Sequence, residues 1–189
     1  MLKSNRIELV PFESKYFEKF VEFRNSDDSR NLTMPGIPYP VTVETVAERW
    51  KTKKDPKETG EFAIILRSTG EYIGNVSYNN VDWKNRNCEI AIMIGEEKHR
   101  NKGYGTEALN LLLDFIFNEL NLHRVELRVY DFNERAIKSY EKCGFKKEGL
   151  LREVVYKHGK YINEYVMGIL KEEFINRNNY YQENNNNNK

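Results

Sequence analysis

The chain is poor in the residues that build metal or disulfide scaffolds. Its 189 residues include two cysteines and three histidines. Cys88 and Cys143 form no CxxC pair and the histidines are dispersed, so neither a disulfide framework nor a metal site is expected. Long apolar runs are absent as well. No stretch approaches the roughly 20 apolar residues that cross a bilayer, and the opening MLKSNRIELVPF lacks the apolar centre of a secretory signal. Excess charge of one sign is also missing: 30 basic residues stand against 29 acidic ones, a formal charge of +1. That balance gives no general attraction to nucleic acid or to an anionic membrane. A protein of the reducing cytoplasm, without nucleic-acid or membrane partners, is the expectation.

What is present is enough for one core. Hydrophobic residues make up 39% and aromatic residues 13% of the chain, which predicts a single domain over residues 1–175. The ending NRNNYYQENNNNNK offers little to bury, and residues 176–189 are expected to form a disordered Asn-rich tail.

Periodicity supplies the elements. Arg6–Val10 alternates like a strand, and Ser14–Arg24 carries Phe17, Phe20 and Val21 at helical spacing behind a serine suited to cap it. Pro35, Pro38 and Pro40 then break the chain. A second helix is predicted over Thr42–Lys53. EFAIILR, EYIGNVSYNNVDW and NCEIAIMIG read as three consecutive strands. A long helix with Leu109, Leu112, Leu113, Ile116 and Phe117 on one face follows, then the strand HRVELRVYD, a β-α-β crossover. Asn133–Cys143 is a helix capped by Asn133 and closed by Gly144. Two last strands meet at KHGK. The order predicts an α/β (α+β) fold: a mixed sheet of six to seven strands with helices on both faces.

The segment HRNKGYGTEALNLLLDFIF carries the chemistry. Glycines at 103 and 105 stand before a helix start, where unpaired amide groups and aligned peptide dipoles attract an anion. Lys98, Arg100 and Lys102 add positive charge to the rim of such a diphosphate cradle, or are simply solvated. A Walker loop does not match. Gly103, Gly105 and Ala108 match the dinucleotide pattern GxGxxA, with Glu126 and Asp131 downstream, but eight residues separate the preceding strand from Gly103 where that fold has a direct turn.

Taken with NERAIKSYEKCGF one strand later, RNKGYG resembles the signature of the GNAT superfamily of acetyl-CoA-dependent N-acetyltransferases. The resemblance spans roughly Arg6 to Glu173 and is strongest to the subgroup of ribosomal-protein N-terminal and spermidine acetyltransferases. It implies a splayed sheet whose gap holds the pantetheine arm of acetyl-CoA, the cosubstrate. Ile92, Met93 and Ile94 would line that arm, and Arg100, Asn101, Lys102, Gly103, Tyr104, Gly105 and Thr106 would hold the diphosphate. Asn133 and Lys138 complete the implied coenzyme contacts, and a homodimer is left open.

The resemblance also implies direct attack of a primary amine on the thioester. Tyr140 matches the family's proton donor, and a tyrosine with its usual pKa near 10 is protonated at neutral pH. The same residue reads alternatively as a core aromatic, since Ala136, Tyr140 and Cys143 share a helical face. Glu89, a carboxylate inside the apolar run CEIAIMI, is the candidate base, its alternative being an ion pair with Arg86 or Arg128. Cys143, without a paired histidine, is a poor acyl carrier. For the acceptor, Arg24, Asn25, Asp28, Tyr39, Trp50 and Tyr78 are candidates. A polyamine, an amino sugar and a protein amino terminus all remain open as acceptors. The rival class is a noncatalytic acyl-CoA-binding sensor.

Overall fold

The structure, a computed structural model, describes residues 2–27, 32, 36–52, 55 and 57–186, with backbone alone for 180–186. Among these residues the strands are β1 (Leu2–Lys3), β2 (Ile7–Pro11), β3 (Gly60–Leu66), β4 (Tyr72–Asp82), β5 (Asn87–Ile94), β6 (Arg124–Tyr130), β7 (Lys146–Lys157) and β8 (Lys160–Leu170). The helices are α1 (Phe17–Asn25), α2 (Val43–Lys51), α3 (Tyr104–Asp114), α4 (Glu134–Lys142) and α5 (Lys171–Asn186). One eight-stranded sheet runs in the order β1-β2-β3-β4-β5-β6-β8-β7. The mixed α/β class and the helices on both faces agree with expectation. The eighth strand is β1, whose two residues are too short to show alternation.

Strand alternation divides the core between the two faces. Ile64, Val76, Ile90, Leu127 and Met167 pack with α3, α4 and the start of α5. Ala63, Ile65, Tyr72 and Met93 face the other way, against the aromatic residues of α1 and α2. The stripe read from the sequence drives α3 onto the sheet, since Leu109, Leu112, Leu113 and Ile116 are all 0% exposed. A π-turn over Phe115–Glu119 extends that helix and lets Phe115 reach Phe62 and Tyr78, at ring separations of 5.8 and 6.2 Å.

Helix ends follow local chemistry with one exception. Thr42 accepts from the Thr45 amide to cap α2, and Asn133 accepts from the Ala136 amide to cap α4. Gly144 closes α4 with φ +97°, a conformation that costs glycine least. Ser14 does not cap α1 as expected: it opens a 3-10 turn, and α1 begins three residues later without a side-chain cap. The carboxy-terminal tract also differs. The α5 backbone is helical as far as Asn186, where composition alone predicts disorder from 176. Its first turns are anchored: the Leu170 amide donates to Glu173 at 2.9 Å, Phe174 is buried on Phe117, and Arg177 donates to the Lys142 carbonyl and to Asn110. A helix nucleated this way propagates at little cost per residue.

One irregularity of the sheet makes room for a site. All neighbouring strands pair antiparallel except β5 and β6, whose crossover through α3 requires parallel strands. Their register holds for only three residue pairs, Asn87 with Arg124, Cys88 with Val125 and Glu89 with Glu126. Beyond Glu89 the two strands part, while β5 stays paired to β4 as far as Ile94 and β6 to β8 as far as Tyr130.

Candidate active site

The parting of β5 from β6 opens a cleft of about 650 Å³, in the size range of cofactor sites. One wall is the free half of β5, where Ile92, Met93 and Ile94 line the cleft and remain partly exposed although apolar. The opposite wall is formed by Arg128, Val129 and Tyr130 of β6 together with Asn133, Lys138 and Tyr140 at and along α4. The turn entering α3 closes the end, contributing Arg100, Asn101, Gly103, Tyr104, Gly105 and Thr106. The sequence-derived coenzyme residues therefore come together in one place, with Lys102 the exception: it is exposed and does not line the cleft.

The turn is built to offer amides. Gly103 precedes α3 with φ +83°, and Asn101 is also left-handed at +58°, the conformation most accessible to glycine and asparagine. A side chain at Gly105 would point to Ile92 and Ile94 at 3.8 Å, into the cleft wall. The amides at the start of α3 have no earlier helical turn to pair with. Of the basic residues, Arg100 does not extend freely into solvent: its guanidinium donates to the carbonyls of Ile94 and Gly95, at 3.2 and 2.6 Å. That bond ties the turn to the end of β5 and occupies the Ile94 carbonyl. Lys98 points elsewhere, 2.8 Å from Glu71 and 2.9 Å from Glu96.

Tyr140 is 8% exposed, and its ring lies 5.9 Å from that of Phe145. Among the described residues none hydrogen-bonds its hydroxyl, and the residue belongs to the cleft lining. Burial pushes its pKa up to about 12, with nearby Cys143 adding to the shift, so the phenol is held neutral. The ring packs in the core, and the residue also lines the cleft.

Glu89 is the last paired residue before the strands part, and it lines the cleft. It forms no ion pair among the described residues. Arg86 instead donates to the backbone and side chain of Asn121. Alternation puts Glu89 on the α1/α2 face with Ala91 and Met93, and cross-strand partners share a face. Asn79, Glu89 and Glu126 thus form a polar row across β4, β5 and β6. Glu164, opposite Tyr130 on β8, shares that face and is only 6% exposed; burial raises its pKa while Arg128 lowers it.

The candidate acceptor residues are scattered. Arg24 lies in the last turn of α1, where burial and Arg49 lower its pKa and Glu61 opposes them. Asn25 exchanges two 2.9 Å hydrogen bonds with the backbone of Val41. Tyr39 is 69% exposed. Trp50 packs edge-on against Phe12, at 5.2 Å, within the α1/α2 cluster. Tyr78 lies in the core on the α3 face, touching Phe115. None of these five lines the cleft, and Asp28 lies outside the described residues. The cleft holds others that local pattern did not mark, including Arg135, Ser139, Lys142 and Glu164. Spacing does carry a signal for three of them, since 135, 139 and 142 share a helical face with 138. Ser139 also bonds Thr106 at 2.8 Å, tying α4 to the start of α3.

Two clusters refine other expectations. Burial pushes the Cys143 thiol up to about 12 and its sulfur lies 3.7 Å from the Thr106 carbonyl, an inert setting for a cysteine. Glu71, Glu96 and His99, dispersed in sequence, bring their ligating atoms within 4.8 Å of one another. Their carboxylates are already paired: Lys98 bridges both, and Lys19 holds Glu96 at 2.8 Å.

The sheet thus splits beside a glycine turn and a buried phenol. The family model described as "Acetyltransferase (GNAT) domain" matches residues 6–146. The SPbeta prophage-derived uncharacterized N-acetyltransferase YokL of Bacillus subtilis is 31% identical over 157 residues, covering 83% of this chain and 87% of that protein. A spermidine N(1)-acetyltransferase of Vibrio cholerae is 37% identical over 114 residues, 60% of this chain, and an uncharacterized N-acetyltransferase p20 of Bacillus licheniformis 37% over 117 residues, 62% of this chain. Each of those two matches spans 65% of the relative, just under two thirds of its length. The crystal structure of spermidine N-acetyltransferase from Vibrio cholerae in complex with CoA and spermine superposes with a TM-score of 0.84 at 25% identity. It covers 91% of this chain and 99% of that one. The chain belongs to the GNAT acetyltransferase family, and it is an enzyme of that class.

Proposed function

We propose that this protein transfers the acetyl group of acetyl-CoA to a primary amine, with Tyr140 as proton donor and Glu89 as base. The observation that carries the reading is the buried, neutral Tyr140 in the wall of a cleft that ends at the amide-rich turn of α3. The diphosphate of the coenzyme would take those amides, and the pantetheine arm would lie along the free edge of β5. Among the coenzyme residues, Lys102 would act only from the rim.

The chemistry follows from the positions. An alkylamine is mostly protonated at neutral pH and must give up a proton before it attacks. Glu89 receives it, directly or through water. The nitrogen lone pair then forms the N–C bond, the C–S bond breaks with its electrons on sulfur, and the Tyr140 proton neutralises the departing thiolate; the second proton of the acylated nitrogen returns to the Tyr140 phenolate, leaving a neutral amide and a restored phenol. No acyl-enzyme is needed, in keeping with the inert Cys143.

For the acceptor we favour a small polycationic amine. Glu89 and Glu164 line the cleft on the sheet face from which the acceptor would enter, and carboxylates there attract positive charge, whereas Glu126 is already paired with Arg124 at 2.9 Å. Named relatives acetylate spermidine, and the structural neighbour was solved with spermine. In this reading Arg24, Asn25 and Trp50 shape the scaffold on the α1/α2 side of the sheet.

Thiol release from acetyl-CoA, measured across spermidine, spermine, amino sugars and short peptides, tests the proposal. Both cysteine thiols are buried and pushed up to about 12, so background reaction with a thiol reagent is expected to be low. Amine-dependent release, fastest with polyamines, is the result expected. Tight CoA binding without release on any amine would favour the acyl-CoA sensor instead.

A further inference from the structure

We infer that Arg6 is a positioning residue for the coenzyme diphosphate, a role that rests on the reading of the α3 turn given above. Arg6 precedes β2 in sequence and lies outside the cleft lining, as does its partner Glu107. Its side chain nevertheless grips the turn at several points. Nη1 donates to the Lys102 carbonyl at 2.9 Å, and the guanidinium carbon stands 4.9 Å from the centre of the Tyr104 ring. A Cβ on Gly103 would come within 3.1 Å of the same guanidinium. Nε donates to Glu107 at 2.8 Å, Nη2 lies 2.6 Å from the same carboxylate, and the Ser4 hydroxyl donates to its other oxygen.

The need for this grip is electrostatic. Glu107 occupies the first turn of α3, where the helix end favours any anion. A free carboxylate there would compete for the amides meant for the diphosphate and repel it. Arg6 and Ser4 satisfy both oxygens from the β1–β2 side and neutralise the charge. By holding the Lys102 carbonyl, Arg6 also fixes the peptide that sets the left-handed Gly103. Because the Arg6 side chain is 51% exposed, the ion pair contributes little to folding stability. Its effect should therefore appear in coenzyme affinity.

The test measures CoA affinity by calorimetry, and turnover with acetyl-CoA and with acetyl-pantetheine, which lacks the diphosphate. Arg6→Ala is expected to weaken CoA about tenfold or more, the scale of a lost charge-assisted hydrogen bond, and to raise KM for acetyl-CoA with kcat nearly unchanged. Acetyl-pantetheine should be used equally well by both proteins. The pair Arg6→Ala with Glu107→Gln should recover part of the lost affinity, because the repelling charge is gone. Arg6→Lys keeps the charge without the fork and is read in the same way should Arg6→Ala fail to fold. A folded Arg6 variant that binds CoA within about twofold of wild type, or that loses acetyl-pantetheine turnover equally, overturns the inference. Failure of the wild-type chain itself to bind CoA would overturn the reading of the turn, a separate outcome.

Discussion

Tyr140 combines two demands that a single residue seldom meets so plainly. Its ring contributes to the core, so its replacement must conserve volume. Tyr140→Phe keeps the ring and removes only the hydroxyl, and kcat is expected to fall by about 10² or more while CoA affinity is retained. Steady-state kinetics with direct CoA titration separates the two. The pH dependence follows from the raised pKa. In the folded state the phenol stays protonated from its ordinary 10 up to about 12, so kcat should not decline between pH 9 and 11 through loss of the donor. For stability the sign is opposite to a carboxylate's: the unfolded chain ionises first, so stability linked to this group is full below pH 10 and is lost as pH rises towards 12. Legibility at this scale was uneven. Tyr140, Asn133 and Gly103 could be read because their neighbours in sequence are their neighbours in space. Tyr78 and Trp50 could not be assigned to cleft or core, because an aromatic in a strand or helix reveals its face only once register and partner are known. Glu164 and the Arg6–Glu107 pair depend on contacts across the sheet or across the chain, which local spacing does not encode.

Among the elements, the turn into α3 separates fold from ligand most cleanly. Gly103→Ala forces a side chain into the left-handed region and is expected to cost about 1–2 kcal/mol, measurable by urea unfolding. Gly105→Val is different: a Cβ there meets only Ile92 and Ile94, each at 3.8 Å on the cleft wall. It should weaken CoA markedly with a much smaller loss of stability. Within α3, Leu112→Ala empties a site that is 0% exposed and is expected to cost about 2–5 kcal/mol. The stripe of α3, the Asn133 cap and the KHGK turn were legible because each is set by local sequence; His158 and Gly159 both take positive φ, as a two-residue hairpin turn requires. The α5 extension was not, because its anchor lies in Phe174, Arg177 and their distant partners.

For the molecule as a whole, the split between β5 and β6 and the charge network beside it are the features to probe. Lys19 and Lys98 hold the Glu96 carboxyl down at about 2, and Lys98 with His99 holds Glu71 below its ordinary 4.5. Depressed carboxylates stabilise the fold above pH 4.5, and that contribution is lost as pH falls towards 2. Partial exposure screens its size. Glu96→Gln should flatten the acid side of the stability profile, as should 1 M salt. The mixed class was readable from the element sequence and the splayed sheet was implied by the family resemblance, but the residue at which β5 and β6 part was not, since it depends on where pairing stops. The most direct measurement is a crystal structure with CoA bound. The diphosphate is expected on the amides of residues 103–106 and the sulfur within about 4 Å of the Tyr140 hydroxyl. CoA lying outside the β5–β6 cleft, or a Tyr140 hydroxyl turned away from the sulfur, would contradict it.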